Sequence, residues 1–424
     1  MKRFLLFLCL MALSCVARAE GERSPGVSPD RPPPPAPMFE EDEVKALKAW
    51  AREKRKHVTI SDKGGNLTLS GEVRTEFQTV NETKNGVRQR QPRGAVPDKA
   101  MYNWDFEVNL LFNYRTDYTW ATCKLEFDNP VGIGDGKFNA ISLERALLGG
   151  RLLTGERYNV DIDIGRRALG YEFDSGVQFG SSMNGILVKY DHALQPVGDF
   201  YVHAGPFLID SSVNHYGYVG EVGLLKIGGT GLYAKGSLID RNTRKFASDR
   251  LRRLAYSFRN VQGTLGYKWY PEWLDGQVTT LYVAGLYNTA ARRHEETGRH
   301  RDPWACYVGL SAGELRKQWD WSFNINYQLV QAQSVPDFDG SGVGRGNVAG
   351  TGLYGTKKRG AGDPLTVKTS VGSGNYHGYA IELQYNITNT VTVYQSWGQA
   401  FKYRKDLGPD FSYKRYEIEL IYTF

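Results

Sequence analysis

The sequence predicts an all-β fold: a 16-stranded antiparallel transmembrane β-barrel over residues 66–424, preceded by a short Pro-rich segment and one helix. Three observations predict it. Apolar and polar residues alternate with period 2 in stretch after stretch, as on strands whose two faces meet different media. The links between those stretches alternate short and long. Beyond the N-terminus, no apolar run reaches the roughly 20 residues a membrane helix needs, so a membrane-spanning chain of this kind has to close into a barrel.

The 424 residues include 26 Tyr, 9 Trp and 48 Gly. That balance suits a barrel with aromatic girdles, although a large soluble β protein would share it. Lys2 and Arg3, the apolar run Phe4–Leu13 and the triplet Ala17-Arg18-Ala19 read as a signal peptide over 1–19. Cys15 gives a weaker lipoprotein reading, because no Leu stands three residues before it. Removing 1–19 deletes Lys2, Arg3 and Arg18, lowers the net charge from +7 to +4, and leaves Cys123 and Cys306 as the remaining thiols. An exported chain with so few cysteines carries no disulfide framework, and the two are expected to stay unpaired.

Residues 20–38, with Pro32–Pro35, form an extended spacer. Residues 39–58 read as a periplasmic helix. Glu40, Glu41, Asp42 and Glu43 open it and Arg52, Lys54, Arg55 and Lys56 close it, as the helix dipole favours. Its narrow stripe of Val44, Leu47, Trp50 and Ala51 suits a plug, a trimer contact or a cell-wall tether, and equally a solvated spacer.

Alternation begins at residue 66. Leu67, Leu69, Val73 and Phe77 oppose Ser70, Glu72, Arg74 and Glu76; Trp104, Phe106, Val108 and Leu110 oppose Asp105, Glu107 and Asn109; Val160, Ile162 and Ile164 oppose Asp161 and Asp163. The expected strands are 66–79, 102–114, 118–128, 140–152, 157–165, 185–191, 199–209, 216–227, 230–240, 256–269, 277–288, 304–313, 319–331, 376–386, 390–402 and 413–424. Long links over 80–101, 129–139, 166–184, 241–255, 289–303 and 332–375 alternate with tight ones such as Arg115-Thr116-Asp117 and Ile387-Thr388-Asn389. Short periplasmic turns and long outer loops are the rhythm of a bacterial barrel. An even strand count puts both termini in the periplasm. Trp120, Trp269, Trp273, Trp319 and Trp321 are expected at the short-turn end and Trp104, Trp304 and Trp397 toward the long-loop end, as two interfacial belts.

The chain closes on Arg415–Phe424. Tyr416, Ile418, Leu420, Tyr422 and Phe424 share one face, while Arg415, Glu417, Glu419 and Thr423 share the other, with Ile421 the exception. This strand resembles the C-terminal signal of Gram-negative outer-membrane barrels, in which a terminal Phe and alternating apolar residues are read by the insertion machinery. The resemblance implies the cell outer membrane as location and the barrel-assembly machinery as a partner.

The stretch Glu144-Arg145-Ala146-Leu147-Leu148-Gly149, a turn, then Val160–Arg167 is similar to a stretch of carbohydrate- and phosphate-selective porins, in which the second strand ends in Gly-Arg-Gln; here Arg167 replaces the Gln. The resemblance implies a porin for small hydrophilic solutes, without giving the substrate, and a homotrimer as an assembly to consider. A barrel of 16 strands is wide enough for an aqueous channel. In general porins the third outer loop folds into the lumen. Here that loop is 166–184, and Arg166, Arg167, Glu172 and Asp174 would form a charged constriction; charges on a solvated outer loop are the plainer reading. The expected lumen wall comprises Glu72, Arg74, Glu76, Asp105, Glu107, Asp161, Asp163, Arg415, Glu417 and Glu419. The loops are basic instead: Arg241, Arg244, Lys245, Arg250, Arg252 and Arg253 in one, Lys84, Arg88, Arg90, Arg93 and Lys99 in another. Such loops could attract anions or contact lipopolysaccharide phosphates and lipids.

Two rival classes remain. An adhesin or surface structural protein would use the long loop 332–375. A barrel-embedded hydrolase is disfavoured, since neither Gly-x-Ser-x-Gly nor His-Glu-x-x-His occurs and only His203 near Ser211 and Ser212 offers a pairing. The chain is therefore read as not an enzyme, with no cofactor, no metal and no nucleic-acid partner expected. Asp337–Gly342 looks like the opening of a calcium loop, but no carboxylate follows at the twelfth position, so a flexible Gly-rich loop is expected there.

Overall fold

The computed structural model describes residues 58–62, 65–92, 100–130, 141–211, 215–241, 258–293, 300–336, 339–344, 374–407 and 410–424. The expected signal peptide and spacer, and the expected helix up to residue 57, lie outside them. Val58, counted with that helix, instead begins a strand.

The strands are β1 Val58–Asp62, β2 Gly65–Lys84, β3 Val87–Arg88, β4 Tyr102–Arg115, β5 Thr119–Pro130, β6 Ile141–Thr154, β7 Tyr158–Ala168, β8 Ser182–Leu194, β9 Gly198–Asp210, β10 His215–Leu225, β11 Leu232–Asp240, β12 Arg259–Trp269, β13 Thr279–Asn288, β14 Trp304–Gly313, β15 Trp321–Val330, β16 Tyr376–Asn386, β17 Val391–Lys402 and β18 Phe411–Thr423. Sixteen of them, β2 and β4 to β18, form the wall. Each pairs antiparallel with the next, and β18 returns to β2, from Phe411 opposite Lys84 to Thr423 opposite Glu72. Closure leaves no wall strand with an open edge, which hydrocarbon would not tolerate. The shortest wall strand, β11, has 9 residues, within the roughly 9–11 that a tilted strand needs to cross.

Two additions lie beyond the expected strands. A loop was expected from residue 80, but β2 runs to Lys84 and turns through Asn85 (φ 50°) and Gly86 (φ 76°) into β3. Two consecutive positive-φ residues, Asn then Gly, make the tight hairpin turn that suits twisted strands. At the other end of β2, β1 pairs with Gly65–Leu69, in line with β18, which stops beside Gly71.

Alternation sorts the wall into two surfaces. Outward residues such as Trp104, Phe106, Leu238, Leu265, Val283 and Leu420 are exposed, while inward neighbours such as Asn109, Glu221, Gln262, Thr264 and Gln328 are buried. An apolar belt outside and polar groups inside is the pattern of a barrel in lipid. Trp104, Trp304 and Trp397 toward the long-loop end and Trp273 and Trp319 at the short-turn end are exposed. Trp120 departs from the expected belt: it has the inward parity of Thr122 and Lys124, and its indole N–H donates to Asp163 (2.7 Å). Gly149 directly opposite makes room, since a Cβ there would collide with the indole. Cys123 and Cys306 are unpaired, on outward positions of β5 and β14.

Candidate functional site in the barrel interior

The interior is organised by the segment joining β7 to β8. It leaves β7 through a single 3-10 turn, Leu169–Tyr171. Leu169, Phe173 and Phe179 are then buried against Met183, Leu187, Phe207, Val219 and Ile239, inward residues of β8 to β11. These inward apolar side chains would be misplaced against water; burying them under the loop removes them from it. Further along, Val177 joins Ala284, Leu286, Ala305 and Tyr307 on β13 and β14. Amide side chains complete the attachment. Ser175 donates to Gln262 Oε1 (2.8 Å), Gln262 donates to the Asp174 carbonyl (2.6 Å), and Gln328 donates to the Gly176 carbonyl (2.9 Å). Gln328 lies on β15, eight wall strands from β7 in a ring of sixteen. A segment rooted on β7 and bonded to β15 crosses the interior.

A charged cluster sits at its root. Arg167 is 2% exposed and donates to Asp163 Oδ2 (2.7 Å) and Glu172 Oε1 (2.8 Å). Lys189 on β8 pairs with the same two carboxylates at 3.2 and 2.6 Å. Burial works against ionised Glu172, yet Lys189 and Arg167 outweigh it and hold that carboxyl below its usual range. Asp174 donates its backbone N–H to Glu221 Oε2 (3.2 Å), and its carboxylate lies 3.4 Å from Lys235. Arg166 does not join them. It shares the outward parity of Ile164 and donates to the Leu143 carbonyl (2.8 Å) and Asn184 (3.4 Å). The expectation that Arg166 faces Glu172 and Asp174 fails because consecutive strand residues point to opposite faces.

The opposite wall is acidic. Glu419 on β18 stands opposite Glu76 on β2, Glu76 opposite Asp105 on β4, and Glu107 opposite Asp128 on β5. Arg74 reaches Glu72 (2.7 Å) and Glu419 (3.7 Å), Arg415 reaches Glu417 (3.5 Å), and Gln78 donates to Glu76 and Glu417 (3.1 Å each). Oxygens of Glu76, Glu417 and Glu419 lie within 4.8 Å of one another, a grouping in which a cation could sit. Asp161 pairs with Arg151 (2.9 Å) on the inner face nearer the short turns.

Two expectations about loops change. Arg241, assigned to a basic outer loop, is fully buried, and so is its ion-pair partner Asp339, from the stretch expected to be flexible. The rest of that basic loop lies outside the described residues. In the other basic loop Arg90 pairs with buried Glu82 (3.5 Å). His203 faces inward, 3.3 Å from Asp191. Ser211 lies eight residues further on, about 27 Å at the rise of a strand, so the two do not form a catalytic pair. Lys189 is absent from the expected lumen residues, and Trp120 is expected in the interfacial belt rather than on Asp163. The inward parity of Lys189, directly opposite Asp161 on β7, was the available signal.

No family model matches the sequence, and no curated protein matches it. Solved structures are similar in shape. The high-pH structure of Pseudomonas putida OprB has a TM-score of 0.48 at 11% identity, covering 90% of this chain and 97% of that one. Salmonella typhi OmpF in complex with daunomycin has 0.48 at 13% identity, covering 87% and 100%. A triple mutant of the Rhodopseudomonas blastica porin has 0.41 at 10%, covering 84% and 100%.

Proposed function

We propose that the chain is an outer-membrane porin, a water-filled channel for the passive diffusion of small hydrophilic solutes. The observation that carries this reading is the interior: a ring of sixteen strands, lined on one side by carboxylates and guanidiniums and crossed by one docked segment. Sixteen strands enclose more space than side chains fill, and ionised groups left along a lumen wall need water. The apolar exterior needs hydrocarbon.

In this reading segment 169–181 sets the narrowest point, with Glu172 and Asp174 on its side and the acidic wall across from it. The side-chain balance gives the channel a preference for cations. Lys189, Arg167 and Lys235 are neutralised by Asp163, Glu172 and Asp174. Across the lumen, Glu72, Glu76, Asp105, Glu107, Asp128, Glu417 and Glu419 outnumber Arg74 and Arg415. The same proposal includes export by the 1–19 signal, both termini in the periplasm, insertion through the barrel-assembly machinery, contact with lipopolysaccharide and a homotrimer. It assigns no catalytic step to the chain. Liposomes carrying the purified protein should swell in isotonic arabinose; liposomes that stay as tight as protein-free ones would remove the channel reading.

A further inference from the structure

A second loop shares the docking of 169–181. One described stretch of the β15–β16 connection, 339–344, lies along residues 176–181, far from them in sequence. Gly180 N–H donates to the Asp339 carbonyl (3.2 Å), and Ser341 N–H donates to the Val177 carbonyl (3.2 Å). Ser341 Oγ donates to the Gln178 carbonyl (2.9 Å). The Asp339 carboxylate, fully buried, accepts from Ser181 N–H (3.1 Å) and Ser181 Oγ (2.5 Å) through Oδ1, and from Arg241 through Oδ2. Arg241, at the end of β11, also donates to Gln178 (3.2 Å), so one buried guanidinium touches both loops. The approach is close: a Cβ on Gly180 would collide with the Gly340 carbonyl.

We propose that Asp339 and Arg241 are pore-size determinants. Through them the 339–344 segment acts as a second narrowing element and holds 169–181 at its position across the lumen. The inference rests on the channel reading above. Its physical basis is that a buried ion pair fixes geometry: removing one charge leaves the other uncompensated away from water, so the two loops and the end of β11 are held in one mutual arrangement. The 169–181 segment then sets the size limit only in the position in which 339–344 holds it. The pore is defined by a tie between two segments more than a hundred and fifty residues apart.

Single-channel conductance in planar lipid bilayers tests this with the full-length wild type, Asp339→Asn and Gly180→Ala. The first removes the carboxylate charge that faces the guanidinium; the second pushes the loops apart without altering charge. Folding of each is read independently from heat-modifiable gel migration. Both variants should conduct roughly two-fold more than wild type, since a wider narrowest point passes more current. The double variant Asp339→Asn with Arg241→Gln, an amide pair without charge, should return toward the wild-type value. Folded Gly180→Ala barrels of wild-type conductance would overturn the proposal, whatever becomes of Asp339→Asn. A wild-type protein that forms no channels would instead sink the porin reading itself.

Discussion

Phe424 closes the barrel on Gly71. The two residues exchange both backbone hydrogen bonds at 3.0 Å, and a Cβ on Gly71 would lie 2.5 Å from the Phe424 ring. The Phe424 ring thus lies over a β2 position with no side chain, where β18 meets β2.

Both halves of this contact should therefore matter for assembly. Deleting Phe424, or replacing Gly71 with Val, should lower the heat-modifiable folded band relative to wild type. Gly71→Ala should have the smaller effect of the two glycine variants, because one methyl needs less ring movement. Undiminished folding of both the deletion and Gly71→Val would show that closure depends on neither residue.

Most of the wall was legible because a strand in lipid has to alternate. Sixteen stretches with two faces, joined by links of alternating length, define a barrel almost by themselves. The legible part ends where period 2 ends. Arg166 and Arg167 are adjacent in sequence, and only assigning each to a face separates the lumen group from the outward one. The Asn85-Gly86 pair is a hairpin signal in the sequence, and it lies inside the stretch expected as a loop from residue 80. Arg241 and Asp339 could not be paired from sequence at all. Each stands in a charged or Gly-rich loop, and their meeting depends on two loops bending toward one point inside the ring.

The cluster at the root of 169–181 has a definite acid response. The Glu172 carboxyl is held below its usual range, so its contribution is fully present above the ordinary glutamate value of about 4.3. It is lost as pH falls through the lower folded value. Protection of 169–181 against an added protease should thus survive at pH 4.5 and fade on further acidification. Arg167→Met, which leaves Lys189 alone to serve Asp163 and Glu172, should lose protection at higher pH and lower stability by about 3 kcal/mol, read from urea unfolding. Equal acid responses of variant and wild type would contradict this assignment.

The acidic wall should set ion preference. In a KCl gradient the wild-type channel should show a reversal potential of cation-selective sign. The triple variant Glu76→Gln, Glu417→Gln, Glu419→Gln should move it toward zero, and more so at low salt, where screening is weak. An anion-selective wild type would mean that the basic outer loops govern entry instead.

Cys123 and Cys306 sit on β5 and β14, nine wall strands apart in one direction and seven in the other, beyond the roughly 7 Å that a disulfide allows. The intact mass measured without reductant should correspond to two thiols. In the folded barrel Cys306, exposed on the outward face, should react with a membrane-permeant maleimide much faster than with a charged one. A mass two hydrogens light would contradict their separation around the wall, and faster labelling by the charged reagent would reverse the outward facing of Cys306.

The central claim is that a water-filled lumen is narrowed by the segment that crosses it. Single-channel conductance of the wild type beside a variant lacking residues 170–180 tests it most directly. The account predicts discrete steps for the wild type, and larger steps with entry of larger sugars for the deletion. Equal conductance and an equal size limit from two folded barrels would contradict it.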